Sequence, residues 1–114
     1  MTPQITPAQF AAWLAGAPSG AKPVLLDVRE PMELEMAAVK PGAGYTLLTI
    51  PMNDVPQRLS EIPADQPVAC LCHHGGRSQR VASFLEQSGY TQVVNIAGGI
   101  DAWAVERDPS VPRY

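Results

Sequence analysis

Four short stretches of the chain are apolar or β-branched at nearly every position: residues 24–28, 46–50, Val68–Leu71 and Val93–Ile96. Continuous apolar character over residues 24–28 and Val68–Leu71 marks buried strands, the first covered on both faces, while β-branched content makes 46–50 another strand and Val93–Ile96 a further one. Between them lie helical signals. Thr6, Pro7 and Gln9 make a helix start, with a hydroxyl N-cap, proline at N1 and an amide at N3 able to bond back, which predicts a helix over residues 7–15. Gly16, Pro18, Ser19 and Gly20 end it. Pro31 permits a short helix to about residue 37, and Pro41, Gly42 and Gly44 form a turn. Residues 54–59 read as a helix of one to two turns, and Pro63 and Pro67 punctuate the approach to the third strand. From Ser78 onward Val81, Ala82, Leu85 and Ser88 recur at helical spacing, and Gly89 stands where a left-handed C-terminal cap belongs. Gly98 and Gly99 then turn the chain into a last helix over residues 100–105.

Strands alternating with helices predict an α/β fold, an open and mostly parallel sheet of about five strands with helices on both faces and right-handed crossovers. With 114 residues the chain is too short for a closed eight-stranded barrel and predicts a single domain over residues 1–114. Hydrophobic residues at 46% and charged residues at 17% are ordinary globular usage. The net charge of -3 and the lack of any Lys/Arg run argue against nucleic acid as a partner. The apolar runs fall far short of the ~18 residues that span a bilayer, so no membrane partner is expected. Phe10 to Leu14 is apolar, yet the first basic side chain is Lys22, so a signal peptide's positive n-region is missing and a cytoplasmic location is the expectation. Cys70 and Cys72, one residue apart, cannot easily reach disulfide geometry and read as reduced thiols.

Ligands of open α/β sheets bind where the carboxyl ends of strands lead into helix N-termini. Cys72, His73, His74, Gly75, Gly76, Arg77 and Ser78 occupy that place, between an apolar strand and the best-defined helix. Two consecutive glycines allow backbone angles closed to other residues, so that successive amides point inward as an anion-binding nest. A cysteine pKa of ~8.5 falls to roughly 3.5–7.5 at a helix N-terminus beside a cation, and Arg77 is the candidate cation. Such donors hold an oxyanion substrate, or stabilise negative charge on a sulfur attached to Cys72, with no metal or organic cofactor. Sulfur transfer through a persulfide fits.

Three stretches resemble the rhodanese-like sulfurtransferases, in a likeness covering about residues 5–103: Leu25-Leu26-Asp27-Val28-Arg29-Glu30-Pro31, Val68 through Ser78, and Asn95-Ile96-Ala97-Gly98-Gly99-Ile100-Asp101-Ala102-Trp103. The resemblance implies that Cys72 is the persulfide-forming nucleophile and that the loop from His73 to Arg77 cradles the substrate. It also implies a small-molecule sulfur donor such as thiosulfate and a thiol or protein acceptor. Family members often carry Gly-His-Ile-Pro-Gly-Ala before the second main strand. Here the region reads Ala38-Val39-Lys40-Pro41-Gly42-Ala43, which touches local packing and partner contacts more than the reaction class.

Other readings of the same residues stand beside this one. Cys70 lies inside a strand and reads as core, with a resolving thiol as the alternative. His73 and His74 either shape the pocket and shuttle a proton or face solvent. Four soft ligands within five residues, Cys70, Cys72, His73 and His74, cannot readily surround one tetrahedral ion, so no metal is expected. Asp27 and Arg29 read as a structural pair, Trp103 as a core aromatic, and Glu30, Glu33 and Glu35 as a solvated face. A thiol-dependent phosphatase or arsenate reductase would place five residues between cysteine and arginine, where this chain has four. A third reading is a non-catalytic sulfur carrier or protein-interaction module.

Overall fold

The computed structural model describes residues 2–114. Five parallel strands form one sheet in the order β1-β5-β4-β2-β3, with β1 at Gln4–Ile5, β2 at Val24–Asp27, β3 at Thr46–Thr49, β4 at Val68–Leu71 and β5 at Val93–Ile96. Four helices accompany it: α1 at Phe10–Ala15, α2 at Pro31–Met36, α3 at Gly76–Gln87 and α4 at Gly99–Glu106. The open parallel sheet is the architecture that the apolar runs predict.

Central strands β2 and β4 are buried at every position and pair in register, Leu25 beside Ala69 and Leu26 beside Cys70. Because side chains alternate between faces, each strand feeds two cores at once. Leu26, Val68, Cys70 and Cys72 share one core with Val81, Ala82 and Leu85 of α3. Leu25, Ala69 and Leu71 share the other with Phe10 of α1 and Ile100 and Trp103 of α4. The helices therefore cover both faces, and Trp103 is the buried aromatic its sequence position predicts, 5.1 Å from the Phe10 ring.

Local signals explain most boundaries. Gln9 Oε1 accepts the Thr6 N–H at 2.8 Å as the helix-start pattern predicts, although residues Pro7–Gln9 wind as a 3₁₀ turn before α1 begins. At the end of α3, Gly89 has φ +99°, the Tyr90 N–H reaches the Leu85 carbonyl at 3.0 Å, and the Gly89 N–H reaches the Glu86 carbonyl at 3.1 Å. These two bonds are a Schellman closure. The sequence-based helix over residues 54–59 is replaced by two 3₁₀ turns, Met52–Asp54 and Leu59–Glu61. A single α-type bond does close there, from the Arg58 N–H to the Asp54 carbonyl at 3.1 Å, and 3₁₀ turns on either side take the rest. β1 carries too few residues for periodicity to reveal; it exists because the Asn95 N–H and Ala97 N–H find the Pro3 and Ile5 carbonyls, at 2.9 and 2.7 Å. Among the described residues no helix is long and apolar enough to cross a membrane.

Candidate active site

The carboxyl ends of β2, β4 and β5 meet where β2 and β4 diverge in sequence order, and Cys72 directly follows β4 at that point. Side-chain alternation puts Cys72 on the same face as Cys70, beneath the start of α3. The Gly75 N–H donates to Cys72 Sγ at 3.0 Å. That inward amide requires Gly75 to adopt φ +106° as the N-cap of α3, where a Cβ would stand 3.3 Å from the Gly98 nitrogen. Gly76 differs from the expected nest pair: it is the first residue of α3, its φ is not positive, and a Cβ there would meet open space. One glycine, not two, makes the bend.

Ser78 Oγ lies 3.3 Å from Cys72 Sγ, 3.3 Å from the Gly75 carbonyl and 2.5 Å from Asn95 Oδ1. A hydroxyl has a single proton, so Ser78 donates to Asn95 while Cys72 is a thiol and can turn that proton to the sulfur once a thiolate forms. Asn95, buried on β5, also donates through Nδ2 to the Gly75 carbonyl at 3.1 Å and to Gln4 Oε1 at 2.9 Å. From the other side, Gly99 at φ +60° lets the start of α4 approach the loop closely. The Ile100 and Asp101 N–H groups donate to the Cys72 and His73 carbonyls at 2.8 and 3.2 Å. The cysteine is thus held from two helix N-termini, one at its sulfur and one at its carbonyl. Its residue exposure is 1%.

The loop cation is placed differently from the sequence expectation. Arg77 lies near enough to Cys72 for their charges to interact, but its guanidinium is forked onto Glu33 of α2, with Nη1–Oε1 at 2.5 Å and Nη2–Oε2 at 2.7 Å. Glu33 is therefore no member of a solvated face. It caps the Glu30 N–H at 3.0 Å, accepts the Tyr114 hydroxyl at 2.7 Å, and is held at a pKa of about 2, chiefly by the Arg77 hydrogen bonds. Arg77 is correspondingly raised above the ordinary arginine value. Behind this pair, the fully buried Arg29 forks onto Asp27 at 2.9 and 2.7 Å and reaches the Tyr114 hydroxyl at 3.1 Å. Burial opposes the Arg29 charge, and the Asp27 hydrogen bonds and field more than restore it. The pair is a scaffold strut, as its sequence position predicts.

His73 lies between His74 and Tyr114, its ring centroid 3.9 Å from each, and its Nε2–H donates to the Tyr114 carbonyl at 2.7 Å. His74 is exposed on the outer side of this stack. Cys70 is fully buried, unpaired by any disulfide, and its thiol is pushed far up by burial. Cys70 and Cys72 project into the core beneath α3 while the histidines stack over the loop.

The family model described as Rhodanese-like domain matches residues 10–106. The chain belongs to the rhodanese-like domain family. The match takes in both stretches that bracket the cysteine loop and runs a few residues beyond Trp103. Among curated relatives, a protein named Sulfurtransferase from Allochromatium vinosum is 42% identical over 81 residues, 71% of this chain and 71% of that protein. Rhodanese-like/PpiC domain-containing protein 12 of Arabidopsis thaliana is 40% identical over 90 residues, 79% of this chain but only 30% of that longer protein. A solved rhodanese-like domain protein from Staphylococcus aureus superposes with a TM-score of 0.74 at 26% identity, covering 99% of both chains.

Three residues of this rhodanese-like domain escaped the sequence reading. Asn95 had a signal, a lone amide in the apolar run of β5. Glu33 had one too, its place three residues after the α2 N-cap Glu30. Tyr114 had none, because only the folded chain returns it to Arg29, Glu33 and His73.

Proposed function

We propose that this rhodanese-like domain is a sulfurtransferase that carries a sulfane sulfur on Cys72, taken from thiosulfate or a related donor and passed to a thiophilic acceptor. The observation that supports it best is the Gly75 N–H aimed at Cys72 Sγ at 3.0 Å from the start of α3. An amide at a helix N-terminus stabilises negative sulfur, both the attacking thiolate and the resulting persulfide anion. The relatives named as sulfurtransferases point the same way.

In the first half-reaction the Cys72 thiolate attacks the outer sulfur of thiosulfate. The donor S–S bond breaks, sulfite leaves with its electron pair, and a Cys72 persulfide anion remains. In the second, cyanide or a thiolate takes the outer sulfur and regenerates the thiolate, a ping-pong cycle. The new sulfur stands roughly 2 Å beyond Sγ, so an acceptor meets that atom rather than the buried Cys72. Gly75 and Ser78 donate to the charged sulfur, Asn95 positions Ser78, and the backbone from His73 to Arg77 faces the donor, with Gly76 opening the first turn of α3. His73 and His74 border the approach.

The test is thiosulfate:cyanide transfer measured beside a Cys72→Ala variant, with intact mass after thiosulfate preincubation. The wild type gains one sulfur atom and turns over; the variant does neither. A wild-type mass unchanged by thiosulfate and by a persulfide donor alike refutes the proposal. A second reading, a sulfur-carrying module of a larger protein, draws on the 1% exposure of Cys72 and on the chain spanning 30% of its Arabidopsis relative. Full persulfide loading with no turnover to small acceptors would select it.

A further inference from the structure

Thiosulfate brings two negative charges to a thiolate, and its leaving group is equally charged. Loop amides can hold part of that charge, and an arginine whose hydrogen-bonding fork is open would strengthen its binding further. Among the described residues, Arg29, Arg77 and Arg113 stand at this end of the sheet, and each fork is filled by a carboxylate, that of Arg113 by Asp101 of α4 at 2.8 and 3.1 Å. Arg29 is spent on Asp27, inside the core. Arg77, the one in the cysteine loop, is spent on Glu33 at 2.5 and 2.7 Å. The Glu33 carboxylate is locked in place by a further hydrogen bond from Tyr114 and by its cap on the Glu30 N–H. The Arg77 hydrogen bonds hold the Glu33 carboxyl well below the ordinary glutamate value, so it is a carboxylate, able to occupy the fork, at neutral pH. What the loop offers an incoming donor is amide dipoles beside a neutral ion pair.

We infer that Glu33 is a specificity-determining residue: by occupying the Arg77 fork it disfavours dianionic oxyanion donors and directs the site to organic hydropersulfides. This rests on the sulfurtransferase reading above and names the donor class for it. With such a donor, RS–SH, the Cys72 thiolate attacks the outer sulfur and the RS–S bond breaks. RS⁻ leaves with the electron pair, and Cys72 keeps the outer sulfur as its persulfide with the donor's proton. No oxidant or reductant is consumed. The donor adds at most one charge at the reacting sulfur, which amide hydrogen bonds can meet, where thiosulfate adds two.

Glu33→Gln tests it. Glutamine retains an oxygen for the Glu30 N–H, since either residue serves at this position of a capping box, yet removes the charge that neutralises Arg77. The readout is the ratio of kcat/KM with thiosulfate to kcat/KM with cysteine persulfide, cyanide being the acceptor for both. In the wild type the ratio lies well below one; in Glu33→Gln it rises about tenfold, the scale of one charge interaction across a few ångströms in a partly wet site. Adding Arg77→Gln to Glu33→Gln abolishes the rise, which a merely structural role for Glu33 does not predict. A wild-type ratio above one, or a ratio unchanged by Glu33→Gln, overturns the inference while leaving the sulfurtransferase reading standing. The wild-type comparison needs no variant to fold. Failure of the wild type to load Cys72 from either donor refutes both.

Discussion

Gly99→Ala is the sharpest test of how α4 holds the cysteine loop. A Cβ built at Gly99 would sit 2.4 Å from the His73 carbonyl oxygen, 2.5 Å from the Cys72 carbonyl oxygen and 2.5 Å from the His73 carbonyl carbon. All three are backbone atoms, so no rotamer change relieves the overlap, and restoring ordinary separations needs a shift of about 1 Å. The residue also sits at φ +60°, a conformation costing an L side chain roughly 1–2 kcal/mol. Moving α4 away weakens the Ile100 N–H bond to the Cys72 carbonyl, now 2.8 Å, and leaving such a buried group unpaired costs about 1–3 kcal/mol. Together these predict a loss of about 3–4 kcal/mol. Gly76→Ala is the matched control in the same loop, because its Cβ meets nothing and its φ is not positive. It should be neutral or gain ~0.5 kcal/mol through the unfolded state. Urea unfolding with a common m-value measures both. A Gly99→Ala loss below about 1 kcal/mol, or a Gly76→Ala loss as large as that of Gly99→Ala, would refute the reasoning from close approach. If Gly99→Ala folds, sulfur loading of Cys72 should fall by roughly 100-fold, the usual consequence of misplacing a reacting group by 1 Å.

Asn95→Leu removes the partner of Ser78 Oγ and of the Gly75 carbonyl and should cost about 2–3 kcal/mol in urea unfolding, with a cost under 0.5 kcal/mol speaking against its role as a strut. Arg29→Leu strands the buried Asp27 carboxylate and should cost roughly 3–5 kcal/mol, whereas Asp27→Leu together with Arg29→Leu should recover much of it; a double variant worse than the single one contradicts this. The folded-state pKa of Glu33 is depressed from an ordinary 4.5 to about 2, so its contribution is complete above pH 4.5 and disappears as pH falls toward 2. The stability gap between wild type and Glu33→Gln, at most about 3 kcal/mol near neutrality, should therefore close across that acid window, and a gap that persists at pH 2 would show that its origin is not ionic.

The centre of the parallel sheet was legible because burial on both faces leaves an unbroken apolar run, as in β2 and β4, which are buried at every position. Cap chemistry was legible for the same local reason, as the Gly89 closure of α3 illustrates. Residues 54–59 misled because they do hold one helical turn, the Arg58 N–H on the Asp54 carbonyl, but the flanking segments tighten into 3₁₀ turns instead of extending it. In the loop, the glycine pair advertised a bend, yet which glycine takes positive φ depends on where α4 and β5 press against it, and they press on Gly75.

What the amino-acid order determines by itself is a thiol at a strand end, followed by a residue able to turn an amide toward it. Those are contacts between neighbours in the chain, three positions apart for Gly75 and Cys72. What tertiary structure decided is the electrostatics of the site. Arg77 and Glu33 are 44 positions apart, and Tyr114 stands 85 from Arg29 and 41 from His73. Charge interactions depend on distance in space, and that distance is set by how α2, α3 and the C-terminal segment pack on a common sheet.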